Sequence, residues 1–415
     1  MEKGNMNMAK IAIMGYGTVG AGVFETLRMN KAVIARRLGE EIEVSRVLDL
    51  RDFPGDPAEK VLTHDFQDIL TDPEISVVVE TMGGLKPSYT FTKQLLEAGK
   101  HVCTSNKELV AEHGVELREV AAAHSVNYLF EASCGGGIPI IRVLNTSLTA
   151  EEIEEVTGIL NGTTNYIMTS MADEGKEFDA ALKEAQAKGY AELHPEADVE
   201  GWDACRKIAI LSSLAYGNHI SYKEVPTEGI TKVDKTDIDY AKALNCRIKL
   251  LATSRREEKG IWALVAPMMI GKENPLTAVD GVMNAVMVKG NAVGTTMYYG
   301  SGAGSLPTAS AVCGDVIDCV KHLHTTIRVD YSSAPLSLLP VDEVARPFFV
   351  RMKGGKEAAE AAFGPVTRTI QLDGLTDEIG VITEMMPEKE FKQKLNLAEG
   401  VISWYRRGKN EEAKE

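Results

Sequence analysis

Two kinds of apolar pattern alternate along the first 140 residues. Short continuous aliphatic runs at 10–14, 43–48, 75–79, 101–104 and 127–131 read as strands buried on both faces. Between them, 21–27, 87–98 and 108–124 carry apolar residues at helical spacing. Strand and helix in alternation predict an α/β domain over 1–144, a Rossmann-type doubly wound parallel sheet. Residues 1–8 carry no apolar h-region and read as a loose tail before the first strand.

From about 145 the pattern changes. Residues 152–164 read as a strand running into a turn, 240–254 as a helix and 261–270 as a strand. These fit a second, α+β domain over 145–330, with 302–325 packing back on the first. The last block, over 346–408, reads strand 347–353, helix 356–363, strands 366–372 and 378–385, helix 388–395 and strand 400–406. That βαββαβ order is ferredoxin-like.

Chemistry gathers at the boundaries between these elements. The first strand runs into Gly15-Tyr16-Gly17-Thr18-Val19-Gly20 and then a helix, the setting in which G-x-G-x-x-G marks a dinucleotide site. Gly15 permits the tight turn, Gly17 lets backbone approach a pyrophosphate, and Gly20 lets helix and strand close on each other. The helix N-terminus supplies N–H groups and positive dipole for the phosphate. The second strand ends in Asp49-Leu50-Arg51. An acid there suits the free ribose of NAD and an arginine the 2′-phosphate of NADP, so both coenzymes stay open. Three more strand ends are unusual: Glu80-Thr81-Met82-Gly83-Gly84, Ser105-Asn106-Lys107, and Glu131 followed by Ala132-Ser133-Cys134-Gly135-Gly136-Gly137-Ile138-Pro139. A glycine-rich stretch with Gly302 precedes the helix beginning near Pro307 and offers a second phosphate or nicotinamide contact.

Residues 189–211 place acids and a base where a packed core would want apolar groups. Asp203 and Lys207 are i, i+4 on one helix face, beside the stripe of Ala204, Ile208 and Leu211. Such a pair is ordinarily a solvated surface contact. Here it follows Gly-Tyr-Ala-Glu192 and an acidic loop with Asp198, and a nucleotide signature lies upstream, so it reads as functional.

Composition narrows the class. The 415 residues suffice for two or three domains, and 44% hydrophobic with 25% charged residues is ordinary for globular proteins. A net charge of −15 disfavours nucleic acid or an anionic membrane as partner, and no apolar run reaches transmembrane length. Cysteines 103, 134, 205, 246, 313 and 319 form no C-x-x-C pair. They read as reduced thiols in a reducing, cytoplasmic compartment.

Taken together, GYGTVG, ETMGG, TSNKELVA, FEASCGGGIPI, GILNGTTNYIM, GYAE with ADVEGWDACRKIAIL, and GAGSLPTASAV resemble the homoserine dehydrogenase family in order and spacing, over roughly residues 10–325. The resemblance implies reversible NAD- or NADP-dependent interconversion of L-homoserine and L-aspartate 4-semialdehyde, on the route to threonine and methionine. It implies catalytic roles for Lys207, Asp203 and Lys107, and substrate contacts from Glu192, Asp198, Gly162, Thr163 and Tyr190. Cofactor contacts fall on Gly15, Gly17, Thr18, Val19, Gly20, Thr81, Gly83, Lys107 and Gly302. It also implies a monovalent-cation site, usually sodium, from Glu131 and the carbonyls of Cys134, Gly136 and Ile138, and a homodimer or homotetramer. The chemistry is coherent: hydride reaching an aldehyde carbon leaves negative charge on oxygen, which an ammonium stabilises and protonates.

Three positions depart from the family pattern. His194 stands where an acid is usual, Cys134 where valine is common, and Leu48 where many NADP-using relatives carry arginine. The C-terminal block looks like an ACT regulatory domain, yet Gly354-Gly355-Lys356-Glu357 replaces its Asp-x-Pro-Gly turn, which marks it as degenerate. Two rival readings stand beside this one: another amino-acid or semialdehyde dehydrogenase on the same scaffold, such as an aspartate dehydrogenase, or a non-catalytic NAD(P)-binding regulatory protein.

Overall fold

The apolar run before the first glycine motif is strand β1 (Met8–Met14), at the centre of a six-stranded parallel sheet. The computed structural model describes residues 8–329 and 331–408. Strands β2 (Glu41–Leu48), β3 (Leu62–Thr63), β4 (Ile75–Glu80), β5 (His101–Thr104) and β6 (Tyr128–Leu129) complete the sheet in the order β3-β2-β1-β4-β5-β6. All its pairings are parallel, and the winding reverses between β1 and β4, where doubly wound sheets bind ligands. Met8, expected in the tail over 1–8, already pairs with Glu41, and 1–7 lie outside the described residues.

Helices Thr18–Met29 and Ser305–Lys321 share one apolar cluster with this sheet, including Ile11, Ile13, Val77, Val79, Val312 and Val316. A Cβ on Gly22 would lie 2.6 Å from Ser305 Oγ, so glycine lets the two helices touch. The strand expected over 127–131 keeps only two paired residues. Asn127 turns its side chain to the 322–327 loop, donating to His322 O and Thr325 O and accepting from Ile327 N, while Glu131 opens a 3₁₀ turn. Polar residues at a sheet edge satisfy themselves on the nearby loop rather than on a ladder.

The chain divides into two units. One takes in the chain up to Glu151, Ala209–Ser221 and Tyr298–Leu336; the other comprises Glu152–Ile208, Tyr222–Met297 and the chain from Ser337. Most of a nine-stranded sheet lies in the second unit. Its strands are β7 (Ile153–Ile159), β8 (Cys246–Glu257), β9 (Gly260–Gly271), β10 (Met283–Gly290), β11 (Gly294–Ser301), β12 (Phe348–Lys353), β13 (Val366–Ile370), β14 (Glu378–Thr383) and β15 (Val401–Arg407). They run in the order β11-β10-β7-β8-β9-β15-β12-β14-β13.

Two expectations are corrected here. The helix expected over 240–254 stops at Ala243, and Asn245, at φ 55°, turns the chain into β8. A continuous apolar run suits a buried strand as well as a buried helix. Pairing with β9 along twelve residues decides for the strand. The turn expected after β7 is the start of a helix, Gly162–Glu174, with Asn161 as its N-cap.

The C-terminal elements form the βαββαβ module that the pattern predicts. Strands β15-β12-β14-β13 pair antiparallel throughout, around Phe348, Phe363 and Phe391. β15 also pairs parallel with β9, Met268 opposite Arg406, so this module extends the larger sheet. No helix among the described residues is long and apolar enough to cross a membrane.

Candidate functional site

Gly15 sits at φ 89°, and a Cβ there would lie 2.8 Å from Thr81 O, so the turn after β1 requires glycine. A Cβ on Gly20 would overlap the Gly15 carbonyl, whereas nothing lies within 4 Å of the corresponding position on Gly17. Open space over Gly17, with Thr18 and Val19 starting the helix behind it, is a cradle a pyrophosphate can enter. The Thr81 hydroxyl donates to Gly15 O at 2.8 Å and Met14 O at 3.1 Å, bracing the turn from beneath. Gly83, at φ 79°, is exposed beyond it.

Glu80, whose part sequence reasoning missed, underlies this region. Its buried carboxylate accepts from Met82 N at 2.9 Å and Thr104 Oγ1 at 2.6 Å, tying the ends of β4 and β5 together. Burial raises its pKa against those hydrogen bonds. At the end of β2, the Asp49 carboxylate accepts from Tyr16 N at 2.7 Å and from Arg51 Nε at 2.9 Å. The Arg51 hydrogen bond holds the Asp49 carboxyl well below the usual carboxylate range. The two residues between which the sequence left coenzyme choice open are thus bonded to each other.

Lys107 is the first residue of helix Lys107–Ala123, half-buried behind the Asn106 cap, in the first unit. The second unit gathers the acids and the other lysine. Lys207 is 8% exposed, and its Nζ donates to Asp203 Oδ2 at 2.8 Å and Leu160 O at 2.7 Å. Asp203 is 2% exposed, so this i, i+4 pair is buried and held at two points. Asn161 Nδ2 donates both to Asp203 Oδ2 at 2.9 Å and to Asp198 Oδ1 at 2.7 Å. Its Oδ1 accepts from Thr164 N at 2.8 Å. One amide therefore links both carboxylates to the start of the Gly162–Glu174 helix. The missed signal was the Asn before Gly-Thr-Thr, a preferred N-cap residue.

Around this cluster, Thr163 Oγ1 donates to Tyr190 O at 2.5 Å, and a Cβ on Gly162 would lie 2.8 Å from Val282 O. Glu192 and His194 are both exposed on the loop that leads to Asp198.

The glycine run after Glu131 closes on the 300–304 stretch. Gly137 N donates to Ser301 O at 3.0 Å, and Gly136, at φ 53°, packs on Gly302 with no room for a Cβ. The Glu131 carboxylate accepts from Ile141 N at 2.8 Å and Arg142 N at 2.6 Å. Its side chain thus caps backbone rather than pointing unengaged into the loop. Asp315 receives Glu131 N and the Arg142 guanidinium, and burial raises its pKa.

A family model described as homoserine dehydrogenase matches residues 139–317, and its NAD binding domain matches 15–131. A homoserine dehydrogenase of Pseudomonas aeruginosa is 38% identical, over 97% of this chain and 93% of its own. The crystal structure of a homoserine dehydrogenase from Thiobacillus denitrificans is similar at a TM-score of 0.89, with 38% identity, covering 97% of this chain and 99% of that one. A hyperthermophilic archaeal homoserine dehydrogenase in complex with NADPH is similar at 0.64, with 29% identity, over 75% of this chain and 98% of that one.

Proposed function

The chain belongs to the homoserine dehydrogenase family, NAD(P)-dependent oxidoreductases, and from that premise we propose which of its residues carry the reaction. The substrate pair is L-homoserine and L-aspartate 4-semialdehyde, on the route to threonine and methionine. The coenzyme, when bound, supplies or accepts the hydride. In the direction of reduction, Lys207 Nζ gives a proton to the aldehyde oxygen as charge develops there. Asp203 keeps the ammonium in place, and Lys107 is the second catalytic lysine that the family resemblance implies. Asp198 and Glu192 receive the substrate ammonium, with Gly162, Thr163 and Tyr190 shaping the loop around it. The observation that carries this reading is the buried Lys207–Asp203 pair, tied through Asn161 to Asp198.

Gly15, Gly17, Thr18, Val19 and Gly20 hold the pyrophosphate, with Thr81, Gly83, Lys107 and Gly302 along the rest of the coenzyme. NAD and NADP are told apart at Asp49 and Arg51, the acid favouring a free ribose hydroxyl and the guanidinium a 2′-phosphate. We assign a monovalent cation, sodium, to Glu131 and the main-chain carbonyls of Cys134, Gly136 and Ile138. Hard oxygen donors suit such an ion. Among the described residues no three His, Cys, Asp or Glu side chains group to hold a metal, and the Glu131 carboxylate is engaged by backbone. We place the enzyme in the cytoplasm as a homodimer or homotetramer. We read its C-terminal module as a degenerate ACT-like domain with a structural rather than sensing role.

Nicotinamide absorbance during incubation with L-homoserine, with L-aspartate, and without substrate tests the reading. Coenzyme reduction with homoserine alone supports it. Reduction with aspartate, or with neither, would replace it by one of the two rival readings.

A further inference from the structure

The second unit carries a partly open cavity of about 70 Å³ that shares no residue with the site above. One wall is the sheet: Thr157 of β7 and Thr253 of β8, whose hydroxyls are 2.5 Å apart, with Trp262 and Met268 of β9. The opposite wall brings Arg346, from the segment leading into the C-terminal module, and Arg407, at the end of β15.

Arg346 is the anomaly. It is 3% exposed, with its guanidinium 4.9 Å from the Trp262 ring centre, and neither Nε nor Nη2 has a hydrogen-bond acceptor. Nearby acids are committed elsewhere. Glu388 and Glu228 pair with Arg406, Glu155 accepts from Thr157 at 2.8 Å, and Glu257 accepts from Trp262 Nε1 at 3.3 Å. Burial and the Arg406 charge lower the Arg346 guanidinium to about 10, against the weaker attraction of Glu388 and Glu257, neither of which reaches it with a hydrogen bond. A buried cation without an acceptor is costly, and a protein keeps one where something supplies the missing charge.

We propose that this cavity binds a small carboxylate, gripped by the Arg346 guanidinium with the Trp262 indole as an apolar wall, while the Thr157 and Thr253 hydroxyls stay bonded to Glu155 and to each other. The fork of a guanidinium matches the two oxygens of a carboxylate. A water needs about 10–15 Å³ on the same scale, so the cavity has room for roughly five such groups. That suits formate, acetate or a hydroxyacetate and excludes an aromatic acid.

Thermal unfolding and isothermal titration of the full chain with sodium acetate, against sodium chloride and sodium sulfate at matched ionic strength, test the proposal. Acetate should raise Tm saturably, and Arg346→Met should raise the half-saturating acetate concentration at least tenfold. Without acetate that variant should melt at the same or a higher temperature, since it sheds an uncompensated buried charge. Arg346→Lys, which keeps the charge but loses the fork that matches two carboxylate oxygens, should weaken acetate severalfold and keeps the test open if Arg346→Met fails to fold. The proposal is overturned if acetate acts no differently from chloride, if sulfate is preferred, or if Arg346→Met responds to acetate as the parent does. A lower acetate-free Tm in Arg346→Met with unchanged acetate response would make Arg346 a structural prop and likewise overturn it.

Discussion

Asn161 and Asp203 are joined by a 2.9 Å hydrogen bond, from Nδ2 to the same carboxylate oxygen that receives the Lys207 ammonium at 2.8 Å. The same Nδ2 reaches Asp198 at 2.7 Å, and the other end of the amide caps a helix. Lys207, its counter-ion Asp203 and Asp198 therefore share one hub. Hydrogen bonds to charged groups contribute about 1.5–3 kcal/mol each. Asn161→Ala should accordingly lower kcat about tenfold to a hundredfold and lose about 1 kcal/mol of stability from the cap. Asn161→Ser, which can still cap, should recover the Tm and not the kcat. A folded Asn161→Ala enzyme with unchanged kcat would reduce the residue to a helix cap.

Removing Lys207, the proposed proton donor, should affect chemistry and spare the coenzyme. Lys207→Ala is expected to reduce kcat by about 10²–10⁴. Coenzyme affinity, read by fluorescence titration, should stay within twofold. Turnover at the parental rate in the folded variant would exclude Lys207 from proton transfer.

Glu192 is exposed on the loop before Asp198, where a charged ligand can meet it. Glu192→Gln keeps its size and removes its charge. The KM for homoserine should rise about tenfold, while that for the coenzyme moves less than twofold. Equal shifts in both would indicate a role in folding the loop.

Coenzyme choice should respond to Asp49. Its carboxylate engages Arg51 and the Tyr16 N–H. Asp49→Ala frees the guanidinium for a 2′-phosphate and removes the acceptor for a ribose hydroxyl. The kcat/KM ratio of NADP to NAD should then rise about tenfold or more, and Arg51→Ala should move it the other way. An unchanged ratio in both variants would place discrimination elsewhere.

The C-terminal module is tied into its unit by buried charge. Arg351 of β12 contacts Glu378, Asp234 and the buried Asp237, and Arg406 contacts Glu388 and Glu228. Deleting everything after Pro340 would strip β9 of its β15 neighbour and leave Asp237 and Glu228 without these partners. Loss of a buried partner costs about 3–5 kcal/mol. The truncated chain should therefore melt at lower temperature or aggregate, with kcat of the folded fraction little changed. L-threonine should inhibit the intact enzyme weakly or not at all, since Gly354-Gly355 replaces the ligand-shaping turn. Sub-millimolar threonine inhibition that the deletion abolishes would show a working sensor instead.

How far the chain could be read before its structure varies by element. The strand–helix alternation over the first 140 residues, the glycines at 15, 17 and 20, and the four-residue spacing of Asp203 and Lys207 are local patterns, and local geometry follows from them. A parallel sheet buries both faces of its strands, so continuous apolar runs report it directly. The βαββαβ order is legible for the same reason.

What needed the tertiary structure are the relations between distant residues. Residues 246–257 are a strand because β7 and β9 lie on either side of it, and an apolar run without alternation does not say so. Asn161 meets its carboxylates across 37 and 42 residues. The Glu131 carboxylate, readable as a cation ligand, is directed by the returning chain onto two backbone N–H groups. Arg346 looks like any surface arginine until β9 and the C-terminal module close over it. Sequence periodicity records which side of an element is buried; only the packing of elements decides which polar group meets which, because a hydrogen bond depends on distance in space and not on separation along the chain.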